Sequence, residues 1–160
     1  MKVRDVMSKK VVSVTPDTSI KELSAIVFKK KIQTVPVVDG SGKMLGIIAE
    51  SDILSKLYPT QKEFVEDFVE ASDFEGMEEK LVEIMKLKAK DLMNKAAICT
   101  YPDVPLLKAA SKMMVKRIGR LPVIDVETGK LLGIVSKGDV IRAIVKFHKQ
   151  PLEKILEKAS

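Results

Sequence analysis

Several residue types are scarce in this 160-residue chain: one cysteine, one histidine, no tryptophan, and aromatics at 4% of the total. Each scarcity removes a class of function. A lone cysteine, Cys99, cannot close an internal disulfide, and its place in the apolar run 96–100 predicts a buried strand residue. Around the one cysteine and the one histidine, Cys99 and His148, there is no metal-ligand spacing, and no metal is expected. There is no P-loop and no paired nucleophile and base, so no enzymatic activity and no catalytic residue are expected. Apolar residues never run for the roughly 18 positions a bilayer span needs, and the opening Met-Lys-Val-Arg-Asp carries no secretory h-region. These absences predict a soluble cytoplasmic protein that uses no membrane. Asparagine and glutamine number four (Gln33, Gln61, Asn94, Gln150) beside abundant Lys and Glu, a bias reported for proteins of hot environments.

The charge is unevenly placed. The formal net charge is +6, but nine acids and two lysines fall between Leu57 and Met85, a local balance of −7 that leaves +13 on the remainder. A basic body with an acidic insert favours anionic partners for the body, and leaves the insert as a separate surface for packing or for a partner protein. Nucleic acid is one alternative for a basic body. It lacks a stacking array, since neither Tyr58 nor Tyr101 sits among basic neighbours.

What the chain has in place of catalytic motifs is a duplication. Gly46-Ile47-Ile48-Ala49-Glu50-Ser51-Asp52 returns 87 positions later as Gly133-Ile134-Val135-Ser136-Lys137-Gly138-Asp139. Thr15-Pro16-Asp17 returns as Tyr101-Pro102-Asp103, Val35-Pro36-Val37 as Leu121-Pro122-Val123, and Arg4-Asp5-Val6-Met7 as Lys90-Asp91-Leu92-Met93. Within each copy the patterning predicts strand, helix, strand, hairpin, strand, helix. In the first copy the strand Val11 to Val14 stops at the proline turn, and a helix opens at Ser19 with Glu22 completing a capping box. Lys29, Lys30 and Lys31 close that helix as cations at its negative end. Thr34 to Asp39, the turn Gly40 to Lys43, and Met44 to Ala49 form the hairpin, and a helix follows from Ser51 to about Tyr58. In the second copy Pro105 stands just inside a helix that reaches Arg117 and takes Met113 and Met114 as core fillers, and Asp139 opens a helix to about Phe147. Between the copies, Phe64, Val65, Phe68, Val69, Met77, Leu81, Ile84 and Met85 predict two acidic amphipathic helices, or one kinked at Gly76. Leu152, Ile155 and Leu156 predict a short tail helix.

This ordered set of motifs, occurring twice, resembles the cystathionine β-synthase (CBS) domain, and the whole resembles a stand-alone CBS pair. The fold class expected is α/β (α+β) with tandem repeats: residues 1–58, an acidic helical insert at 59–88, a second repeat at 89–148 and a tail at 149–160. The resemblance implies two β-α-β-β-α repeats packed about a pseudo-twofold axis, with two clefts that take adenosine compounds: AMP, ADP, ATP or S-adenosylmethionine. It implies that Asp139 and Asp52 each hold a ribose diol and that Ser136, with Lys137 and Gly133 in the same junction, meets ribose or phosphate. The apolar residues around Val12, Ile32, Pro36, Ile98, Ile118 and Pro122 would enclose adenine. Ser8, Gln33 and Thr34 would face the Asp139 cleft, and Asn94, Gly119 and Arg120 the Asp52 cleft. It further implies a homodimer, a regulatory and energy-sensing role, and a partner protein to receive the signal, with a nucleotide as regulatory ligand and no cofactor.

The chemistry is sound without the family name. A carboxylate accepts both hydroxyls of a cis-diol, and hydrogen bonds to a charged acceptor contribute about 1.5–3 kcal/mol each. Plain N-capping is the other role open to an Asp at a helix start. The two junctions differ: Ala49 lacks the hydroxyl of Ser136, and Glu50 stands where the second copy has Lys137. A carboxylate about 4 Å from a phosphate costs roughly 1–4 kcal/mol, so the Asp139 site is expected to be the stronger.

Overall fold

A computed structural model of the chain describes residues 1–56 and 74–147, apart from the side chains at 74–78 and 80. The expectations for Tyr58, for Phe64 to Val69 and for the tail helix fall on residues outside the described ones. Helices and strands are mixed, as the duplication predicts, and the described chain forms two compact units. No described helix is long and apolar enough to cross a membrane.

The unit formed by residues 12–97 begins where the β-branched run Val11 to Val14 predicts a strand, but only one bridge forms, Val14 parallel to Val37. Pro16 arrests the run before a ladder can extend. Helix α1 (Ile20–Lys30) starts at Ser19, whose hydroxyl accepts the Glu22 amide while the Glu22 carboxylate accepts the Ser19 amide. It ends on Lys31 in the left-handed conformation, φ 51°, so the lysine triplet does fall at the C-terminal turn. Strands β1 (Thr34–Val38) and β2 (Met44–Ala49) form an antiparallel hairpin with an irregularity at Val37/Val38. Helix α2 (Glu50–Leu54) follows directly. Helix α3 (Phe74–Met85) runs through Gly76, which does not interrupt it. Its Ile84 joins Ile20, Leu23, Val35 and Ile48 in the core, so the end of the acidic insert packs on this unit. A one-turn helix α4 (Ala89–Leu92) completes it.

The other unit is built from residues 98 onward together with residues 1–11. Thr100 makes the single parallel bridge, to Val123, and Cys99 beside it is half-buried and outside any strand, a correction to the expectation of a buried strand residue. Helix α5 (Leu106–Val115) has Pro105 as its N-cap and so starts one residue later than expected, because the extended backbone of Pro105 (ψ 134°) lies outside the helix. Strands β3 (Arg120–Ile124) and β4 (Leu131–Ser136) repeat the first hairpin, irregularity included. Helix α6 (Lys137–Phe147) opens two residues before Asp139, since Ser136 and not Asp139 is the residue that caps it.

The compact units are therefore not the sequence repeats. The leading segment of each repeat packs with the body of the other. Val3, fully buried, lies in the core with Leu106, Leu121 and Val135, and burying a valine contributes about 1.5–3 kcal/mol. Its amide donates to the Val104 carbonyl at 3.0 Å, and the Ser8 amide and carbonyl pair with Ile134 at 2.9 Å each. In the other unit, the Ala89 amide donates to Thr18 at 2.9 Å and Asn94 pairs with Ile47. Asp17 binds Lys88 and Lys90, and Asp103 binds Lys2 and Arg4, so the Pro-Asp motif of each repeat clasps the basic leader of the other. A hydrogen bond from Lys90, then one from Lys88, holds the Asp17 carboxyl below its ordinary value; Lys2 acts likewise on Asp103.

Candidate functional site

The candidate sites are the two strand-to-helix junctions. At the end of β4 the Ser136 amide donates to Asp139 Oδ2 at 2.8 Å, its hydroxyl donates to the same oxygen at 2.7 Å, and the Asp139 amide returns a bond to Ser136 Oγ at 3.2 Å. This is a reciprocal cap. The Arg142 guanidinium, one turn along α6, donates to Asp139 Oδ1. The Asp139 side chain is 19% exposed and that of Arg142 69%. Burial pushes the Asp139 carboxyl upward, but the Ser136 hydroxyl and amide and the Arg142 charge outweigh it and leave it below the ordinary carboxylate value. The carboxylate is thereby kept ionised at neutral pH, with its charge held in place by these donors.

The first junction has the same backbone and less chemistry. The Ala49 amide donates to Asp52 Oδ2 at 2.6 Å, and no hydroxyl stands at position 49. Position 55, which corresponds to Arg142, is Ser55, and its hydroxyl donates to the Asp52 backbone carbonyl at 3.0 Å. Neither acid is therefore the N-cap itself: each stands three residues after it and accepts the N-cap residue's amide, the return half of a capping box.

Within each unit the start of the middle strand lies against the junction. The Glu50 amide donates to the Gln33 carbonyl at 2.9 Å, and the Lys137 amide to the Gly119 carbonyl at 3.0 Å. Thr34 faces Ala49 across the ladder, and Arg120 faces Ser136. Directly opposed side chains on one sheet face are close neighbours. Val12, Ile32, Pro36 and Asn94 belong to the same unit as Asp52, with Gln33 and Thr34 directly against its junction. Ser8, Ile98, Ile118, Pro122 and Gly133 belong to the same unit as Asp139, with Gly119, Arg120, Ser136 and Lys137 at or against its junction.

Not every candidate presents surface. Pro36 and Pro122 are fully buried and offer nothing for adenine to touch, whereas Val12, Ile32, Ile98 and Ile118 are half-buried. Gly133 is also buried, and its role is spatial: a Cβ there would stand 2.8 Å from the Ser8 carbonyl oxygen and 2.9 Å from Met7 Sδ. Gly46 meets the Asn94 carbonyl oxygen and Met93 Sδ in the same way, each at 3.0 Å. Both glycines let a leading segment lie close on its hairpin. The sequence reading missed this role and missed Arg142, although the spacing of an acid and an arginine at i, i+3 was a signal for an ion pair. Thr34 Oγ1 is buried and has no hydrogen-bond partner among the described residues. No cluster of three metal-ligating side chains occurs among the described residues.

Comparison with known proteins adds the following. The family profile described as "CBS domain" matches residues 3–59 and 89–146. The protein MJ1426 of Methanocaldococcus jannaschii is 35% identical over 156 residues, spanning 91% of this chain and 92% of its own length. A crystal structure of CBSX2, an Arabidopsis thaliana protein, in complex with AMP superposes with a TM-score of 0.71 at 25% identity, covering 92% of this chain and 98% of that one. The CBS domain pair of protein MJ0100 in complex with 5′-methylthioadenosine and S-adenosyl-L-methionine superposes with a TM-score of 0.64 at 25% identity, covering 91% and 97%. Some other curated relatives are larger proteins of which the chain spans 24%.

Proposed function

The chain belongs to the CBS-domain family, with two copies of the domain, and from that premise we propose that it is a non-catalytic regulatory module that binds adenosine compounds. The observation that carries this reading is the pair of acids at equivalent strand-to-helix junctions, one of them ionised and ringed by a hydroxyl, an amide and a guanidinium. In this reading Asp139 and Asp52 each hold a ribose diol. Arg120, across the ladder from Ser136, and Lys137 supply positive charge for a phosphate, and the half-buried Val12, Ile32, Ile98 and Ile118 supply apolar surface for adenine. Ser8, Gln33, Thr34, Asn94 and Gly119 complete the polar lining. Solved relatives bound to AMP, and to S-adenosyl-L-methionine with 5′-methylthioadenosine, support adenosine as the shared part of the ligand.

Binding energy becomes a signal only if it alters a surface that another protein reads. Two surfaces suit that role. Leu81, Val82 and Met85 are exposed on α3, at the end of the acidic insert. Leu107 and Met114 on α5 and Ile141 and Val145 on α6 are exposed apolar residues of the other unit. We assign the first to a partner protein and the second to a homodimer.

Titration calorimetry with AMP, ATP and S-adenosylmethionine is the deciding experiment. Asp139→Ala is expected to weaken binding by about 2–4 kcal/mol, the loss of one or two charge-assisted bonds. Equal affinities in variant and parent would remove Asp139 from the site, and release of a hydrolysed nucleotide by the purified protein would end the non-catalytic reading.

A further inference from the structure

The two sugar-binding acids are not equally available. A carboxylate offers about four lone-pair positions. At Asp139 the Ser136 amide and hydroxyl occupy both positions on Oδ2, and the Arg142 guanidinium takes one on Oδ1. One position remains, and a cis-diol needs two. At Asp52 only the Ala49 amide is bound among the described residues, which leaves three. Ser55, at the position of Arg142, places its hydroxyl on a backbone carbonyl and not on the acid.

Arg142 does not reach Asp139 by extending into water. Its Nη1 lies 3.5 Å from where a Cβ at Gly138 would stand, so the guanidinium folds back over the first turn of α6. That is an unfavourable place for a cation, because the free amides of a helix start carry positive potential. The acid compensates for it. Asp139 and Arg142 also border a pocket of about 240 Å³ with Asp5, Val6, Ala143 and Lys146, into which a released guanidinium can move.

We infer that Arg142 is a built-in competitor for the ligand's ribose: it closes the Asp139 site until a diol displaces it from Oδ1, and the Asp52 site has no such competitor. The inference rests on the assignment of Asp139 as a sugar-holding acid. It makes Arg142 a residue that sets affinity through Asp139 without being a ligand contact itself. It also reverses the ranking expected from the sequence alone, because the better-equipped junction is the one that starts out occupied.

Neutral adenosine is the probe that isolates the effect, since its own binding involves no net charge. In an Asp52→Asn background, which leaves a single site, Arg142→Ala is expected to bind adenosine about 2- to 5-fold more tightly than the background protein, the range set by the modest strength of exposed ion pairs. Raising the salt from about 0.05 M to 0.5 M screens the pair, so affinity in the Arg142-containing protein is expected to rise while that of Arg142→Ala stays flat. Arg142→Lys is expected to fall between the two. Equal or weaker adenosine binding by Arg142→Ala overturns the inference alone, provided Asp139→Asn lowers affinity. If Asp139→Asn binds adenosine as well as the background protein, or neither binds it, the sugar assignment and the competitor fall together.

Discussion

Gly133 offers the sharpest test of the exchanged leading segments. Ordinarily a Gly→Ala change at a permitted backbone conformation stabilises a protein by about 0.4–1 kcal/mol, because the unfolded chain loses freedom. Gly133 has no positive φ, so alanine meets no backbone penalty. The added Cβ would nevertheless stand 2.8 Å from the Ser8 carbonyl oxygen and 2.9 Å from Met7 Sδ. The thioether can turn aside; the carbonyl cannot, because the Ser8 backbone is bonded to Ile134 on both its amide and carbonyl sides. The leader must shift, with Val3 and its buried contacts behind it. Overpacking of this kind costs about 1–3 kcal/mol, so Gly133→Ala is expected to lose about 1–2 kcal/mol net. For a chain of this length that lowers Tm by roughly 2–8 °C. Gly40→Ala is the control, since nothing lies within 4 Å of its added Cβ and its φ is not positive. Urea unfolding followed by circular dichroism measures both variants. If Gly133→Ala matches or exceeds Gly40→Ala in stability at equal m-value, the close approach of residues 7 and 8 to β4 is wrong.

Further tests address the junctions and the surface. Ala49→Ser restores the hydroxyl that caps the equivalent helix in the second repeat, and is expected to stabilise the protein by about 0.5–1 kcal/mol; no gain in urea unfolding would mean that position 49 cannot reproduce the Ser136 geometry. Because the Asp139 carboxyl sits below its ordinary value, its stabilising contribution is present above about pH 4 and is lost as the pH falls through its lowered value. Unfolding curves from pH 5 to 2 should therefore show the parent and Asp139→Asn converging as acid is added; a constant gap would contradict the cause assigned. Sedimentation of the 17.7 kDa chain is expected to give a dimer, and Leu107→Asp, on an exposed residue that lines a groove with Met1, Pro105, Ile144 and Phe147, is expected to give a monomer. A parent that sediments as a monomer refutes the homodimer.

Much of the local structure was legible because its causes are local. The Ser19 and Glu22 cap, the hairpins closed by Asp39 and Asp125, and the repeated proline turns each depend on residues within four positions of one another. The same locality explains the errors. A β-branched run at Val11 to Val14 signals a strand, but whether it forms a ladder depends on what lies beside it, and only Val14 finds a bridge. Gly76 reads as a break, yet α3 runs through it, since a glycine costs a helix only about 1 kcal/mol. Gly46 and Gly133 read as parts of the repeated junction; their packing against residues about 50 and 125 positions away has no local signal.

By itself the sequence determined that the chain is a duplication, where each copy turns, and that an Asp falls in the first turn of the last helix of each. Those facts follow from patterns repeated at a fixed offset. Only the tertiary structure decided which leader packs on which body, since the clasp of Asp17 on Lys88 and Lys90 and of Asp103 on Lys2 and Arg4 joins residues 71–101 positions apart. It also showed that Asp139 holds a guanidinium, where the i, i+3 spacing had only allowed one, and that Asp52 has none among the described residues. The physical reason is that hydrogen-bond capacity is a property of atoms in place: two aspartates at equivalent positions of a repeat become different acceptors once the side chains around them, which differ between the copies, are fixed in space.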